Sequence, residues 1–166
     1  MAGLKGVVGP CAIAIALTAW PAFAAEDNSL ERLATCQDSW IDWQQSNDKQ
    51  LAPFAAHLRA DFTQKSGDPF ITPKSALTID GLRVVQVYPE SIGMGVGFSV
   101  LVAAKFDDAK DVLEKTLGKR LQRCETSDGM RSCDHQIAEK RTVTLMSGDR
   151  PADQQTLVGC YYFYEK

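Results

Sequence analysis

Histidine is scarce in this chain: His57 and His135 are the only two in 166 residues. The sequence also has no Cys-x-x-Cys, no His-Glu-x-x-His and no Asp-x-Asp-x-Asp-Gly run. Spaced ligand sets for zinc or calcium are therefore missing, and neither a metal nor any other cofactor is expected. The absence of Gly-x-Ser-x-Gly removes a nucleophile elbow, and the absence of Gly-Lys-Ser/Thr after a glycine-rich loop removes a P-loop. Basic residues are not in excess: 18 Lys and Arg against 21 Asp and Glu give a net charge of −3. General nucleic-acid binding wants a basic surface, so it is not expected. Beyond the first 24 residues no apolar run approaches the roughly 20 residues that cross a bilayer. Repeats and low-complexity tracts are absent as well.

What is present begins with a leader. Lys5 supplies a positive start, Cys11 to Trp20 an apolar run, and Pro21-Ala-Phe-Ala24 the small residues at a signal-peptidase site. This three-part layout is that of a bacterial export signal. Residues 1–24 are expected to be a cleaved secretory signal and residues 25–166 a single domain, periplasmic or extracellular, with no membrane span after cleavage.

Setting Cys11 aside leaves Cys36, Cys124, Cys133 and Cys160. Four cysteines in an exported chain point to two disulfides with three possible pairings. The pairing Cys124–Cys133 with Cys36–Cys160 is favoured, because the intervening ETSDGMRS reads as a polar loop tip. Cys36 lies on the apolar stripe Leu33, Cys36, Trp40, Trp43 of a first helix opened by an Asn28–Glu31 capping box.

A second helix is expected from about Asp48–Pro53, with the stripe Leu51, Phe54, Ala55, Leu58, Phe62. A third spans Phe106 to Leu117, with Gly118 as its left-handed cap and with Asp107, Asp108 and Asp111 at its acidic start. Residues 64–76 read as a loop turning at Gly67-Asp-Pro69. Strands are expected at 82–88, from Met94 to Val102, and at 132–138, 141–147 and 156–164. The resulting expectation is an α+β fold: a single antiparallel sheet of about five strands, two N-terminal helices and one central helix, stapled by two disulfides.

The run SIGMGVGFSV holds Gly93, Gly95 and Gly97 at alternating positions. A dinucleotide-binding fingerprint has a different spacing and opens a helix, whereas this run continues into Phe-Ser-Val-Leu-Val. At a period of two, Met94, Val96, Phe98, Val100 and Val102 share one face, and the three glycines with Ser99 share the other. A bare strip weakens a strand unless something fills it. Two occupants are weighed: aromatic side chains of the last strand, or the backbone of a binding partner. In the second case Gly93, Gly95, Gly97, Tyr162 and Tyr164 form the candidate binding strip.

Catalytic combinations are thin. His57 with Asp61, and His135 beside Asp134, are the pairs that offer a general base. Glu125, Asp128 and Asp134 around the small disulfide loop, Asp38 with Asp42, and the basic run Lys115, Lys119, Arg120, Arg123 all read more simply as solvated surface. The function expected is a non-enzymatic binding domain, such as an inhibitor, an immunity-type protein or an accessory envelope protein. It would recognise another envelope or secreted protein near Gly93–Gly97, the 125–132 tip or the 148–155 loop. A small envelope hydrolase and a small-ligand carrier are the alternatives.

Overall fold

Two Asp-Gly dipeptides shape the ends of the sheet. In the computed structural model, which describes residues 29–38, 61–89, 96–148 and 154–162, Asp80-Gly81 and Asp128-Gly129 all take positive φ, at 48°, 79°, 51° and 75°. Two consecutive positive-φ residues make the type I′ turn whose twist suits a tight hairpin. The first joins β3 (Thr78–Ile79) to β4 (Leu82–Tyr88), and the second joins β6 (Arg123–Ser127) to β7 (Met130–Ala138).

The remaining elements are α1 (Ser29–Ala34), β1 (Phe62–Thr63), β2 (Thr72–Pro73), β5 (Val96–Val102), α2 (Phe106–Leu117), β8 (Arg141–Gly148) and β9 (Thr156–Tyr162). β1 and β2 form a small two-stranded sheet. The others form one seven-stranded sheet in the order β3-β4-β5-β9-β8-β7-β6, antiparallel throughout.

The expected α+β class with about five strands is thereby corrected. Among the described residues the chain is mostly β, 48% strand with two helices. The five long strands read from alternation are present. The two missed in the main sheet, β3 and β6, are the short arms of the two Asp-Gly hairpins. β6 was expected to be loop because its residues are polar. It is exposed along its whole length, so burial imposes no alternation on it. Of the expected second helix, Asp61 is helical and Phe62 begins β1; residues 48–60 lie outside the described residues.

The first helix is also shorter than its stripe suggests. It ends at Ala34, and Cys36 has φ 61°. The Thr35 hydroxyl donates to the Glu31 carbonyl at 2.8 Å, and the chain then turns so that Cys36 meets Cys160 of β9, with Cα atoms 5.0 Å apart. Cys36 is thus buried off the helix end and not on its face; Trp40 and Trp43 lie outside the described residues.

The third helix has the expected bounds. Gly118 sits in the left-handed region at φ 63°, its N–H reaches the Lys115 carbonyl, and the Lys119 N–H reaches that of Glu114. This is a Schellman termination. A Gly118→Ala variant is expected to lose about 1 kcal/mol by urea denaturation, because a Cβ is disfavoured at that φ.

One face of the sheet carries Val84, Val87, Phe98, Val100, Val102, Val143, Leu145, Val158 and Cys160, each no more than 5% exposed. Leu30, Leu33, Phe106, Ala109 and Leu113 of the two helices join the same core. No described helix is long and apolar enough to cross a membrane.

Candidate functional site: a stapled hairpin at the sheet edge

The register of the β6–β7 hairpin follows from its turn. Ser127 faces Met130 across Asp128-Gly129, Thr126 faces Arg131, Glu125 faces Ser132 and Cys124 faces Cys133. In a two-residue hairpin the pair flanking the turn is hydrogen-bonded, and bonded and unbonded pairs then alternate. Cys124 and Cys133 therefore occupy a non-hydrogen-bonded pair, where the chains approach most closely. Their Cα atoms are 4.0 Å apart and their sulfurs are bonded.

The same alternation decides what the outer edge offers. Backbone N–H and C=O groups of non-hydrogen-bonded residues point away from the partner strand. Those of Cys124 and Thr126 consequently face outward. β6 ends the sheet, with no described strand beyond it. Arg123 and Glu125 flank Cys124 on the opposite face of the strand from the disulfide. At the tip, Met130 is 58% exposed, the one exposed large hydrophobic side chain among the described residues.

The hairpin is held from behind. Arg131 of β7 stacks on Phe106 at the start of α2, 4.2 Å from the ring centroid, and its guanidinium forks onto Asp107 at 2.7 and 3.2 Å. That hydrogen bonding from Arg131 holds the Asp107 carboxyl below its ordinary pKa. A cation over an aromatic ring plus a bidentate carboxylate is a geometry that lysine does not reproduce. Arg123 additionally stands opposite Asp134 across the ladder, a cross-strand pair of opposite charge.

The glycine strip has another explanation. Gly97 pairs with Tyr161 and Ser99 with Gly159. A Cβ on Gly97 would run into the backbone carbonyl of Cys160. The backbone that approaches this glycine is the chain's own β9. A Cβ on Gly159 would lie 2.6 Å from Ser99 Cβ and 3.0 Å from the Tyr161 ring, so the Tyr161 ring lies against Gly159, beside Ser99. Tyr162 falls on the other face, within the core. It pairs with Val96 on the helix-covered face, and its hydroxyl reaches the Asp38 carbonyl at 3.4 Å. Gly93, Gly95 and Tyr164 lie outside the described residues.

The other polar candidates separate too. His135 and Asp134 are successive residues of β7, paired with Val143 and Thr144, so they point to opposite faces and the carboxylate does not orient the imidazole. His57 lies outside the described residues. Asp38 is forked by Arg32 at 2.7 and 2.8 Å, and these hydrogen bonds lower its pKa. Among the described residues no three His, Cys, Asp or Glu side chains gather as metal ligands.

Among the described residues, Tyr161 Oη and His135 Nδ1 are buried with no hydrogen-bond partner within bonding geometry. Burial raises the Tyr161 pKa; the nearby Ser99 hydroxyl opposes that shift, and the charge of Asp134 adds to it.

No family model, curated protein or solved structure matches this chain. The arrangement of its own residues therefore carries the functional reading. The signal that would have located the hairpin was in the sequence: Asp-Gly between two potential strands is the strongest short-range hairpin marker.

Proposed function

We propose that this protein is an exported binding domain that recognises another protein chain by adding a strand to the β6 edge. One observation carries the reading: an exposed edge strand that is covalently stapled to its neighbour, with the neighbour anchored on α2. Strand addition draws affinity from main-chain hydrogen bonds and specificity from alternate side chains. An edge already held in extended form loses little conformational freedom on binding. Exposed edges attract unwanted pairing and are commonly blunted; here Arg123 and Glu125 give the edge a charge pattern that a chosen partner can match. Export is supported by two disulfides, which persist in oxidising compartments.

The test uses the oxidised protein immobilised against envelope and secreted proteins from its own host, with a Thr126→Pro variant in parallel. The Thr126 N–H faces outward, so proline removes an edge donor without breaking the β6–β7 ladder. A stoichiometric partner whose capture falls roughly tenfold with Thr126→Pro, while the far-UV spectrum and melting temperature are unchanged, is the expected result. Capture indifferent to that change, or saturable turnover of a substrate by the purified protein, sinks the reading.

A further inference from the structure

We infer that the β6 edge pairs with the β6 edge of a second copy of this chain, antiparallel and about a two-fold axis through Cys124. The inference rests on the reading of β6 as the contact edge and names its occupant. Its support is self-complementarity. A two-fold pairing must bring residues together reciprocally, and hydrogen-bonded pairs must form between residues whose backbone groups face outward. Cys124 is such a residue and can exchange both of its bonds with its own copy; the contact is short, because Gln122, the residue before β6, already donates its N–H to the Asp134 carbonyl of its own β7 at 2.9 Å.

That register sets Arg123 opposite Glu125 of the second copy, and Glu125 opposite its Arg123. Both are non-hydrogen-bonded positions, where side chains come closest, and both charge pairs are opposite in sign. Shifting the axis to Glu125 would place like charges face to face. All five residues of β6 are exposed, so no side chain must be uncovered for the pairing to form. Because the disulfide partner of Cys124 is Cys133 of its own chain, the contact needs no intermolecular bond. A single-strand contact belongs to the small, reversible class of interfaces.

The test is sedimentation equilibrium of the oxidised protein over a dilution series reaching about 1 mM, on the native sequence and on Arg123→Glu and Glu125→Arg. The native chain is expected to double in mass with concentration. Each variant alone sets like charges opposite one another and is expected to need at least about tenfold more protein to associate. Mixed together, the two variants carry matched charges at every contact and are expected to form a one-to-one dimer, which also shows that both are folded. A dimer unaffected by Glu125→Arg uses another surface and overturns the inference. A native chain that stays monomeric throughout overturns it too. In that case, capture of a partner that Thr126→Pro abolishes leaves strand addition to a different protein standing, and loss of both results removes the edge as a binding site.

Discussion

Replacing Cys36 and Cys160 together by alanine is expected to lower the unfolding free energy by about 5 kcal/mol, and replacing Cys124 and Cys133 by about 3 kcal/mol. The difference comes from the loops closed: the first bond spans 124 residues and the second 9. In the chain-entropy picture a cross-link restricts the unfolded ensemble more as the loop it closes grows. The long-range bond also sits in the core, with Cys36 1% and Cys160 0% exposed, so its removal leaves apolar space as well. A domain of this size has only about 5–15 kcal/mol in total, and the Cys36/Cys160 variant is expected to approach the edge of folding. Urea titrations of the two double variants, both fitted with one slope, check this. Equal losses would show that loop length does not govern either bond.

A Gly97→Val variant is expected to cost about 3 kcal/mol or more, at the upper end of overpacking effects. Its Cβ would meet the Cys160 carbonyl, with the Tyr161 Cα only 3.2 Å away. Flexible side chains give way to a new methyl group, but the obstacle here is backbone. β9 is paired on one side with β5 and on the other with β8, and Cys160 is bonded to Cys36. The strand has nowhere to move without breaking ladder hydrogen bonds or shifting α1. Equilibrium unfolding of the variant reads the effect directly. Native stability with valine at this position would mean that the strip is open and available to a ligand.

α2 could be read to its last residue, because Phe106, Ala109 and Leu113 repeat at helical spacing and Gly118 supplies the terminating left-handed residue. The long strands were equally legible, since a buried face imposes alternation on the residues that form it. β6 was not, because every one of its residues meets solvent and no face selects apolar side chains. Its only local mark is the Asp128-Gly129 turn, which fixes a hairpin without specifying that the hairpin lies at the sheet's edge. α1 was overread for the opposite reason: Leu33 and Cys36 fit a helical stripe, yet Cys36 is drawn out of the helix by its bond to β9.

By itself, the sequence determined which residues avoid water, where α2 begins and ends, and that alternate positions of β5 would be either apolar or bare. Tertiary structure alone decided the neighbours. β9 inserts between β5 and β8, the register sets Gly97 against Tyr161, and a shift of one residue turns Tyr162 to the helix side. Periodicity records which side of a strand is buried. It does not record which strand lies alongside or in what register, because those depend on pairing energies between segments far apart in the chain. Gly97 looked like a place for a foreign backbone; the fold brings the chain's own β9 against it, and among the described residues β6 ends one side of the sheet with no strand beyond it.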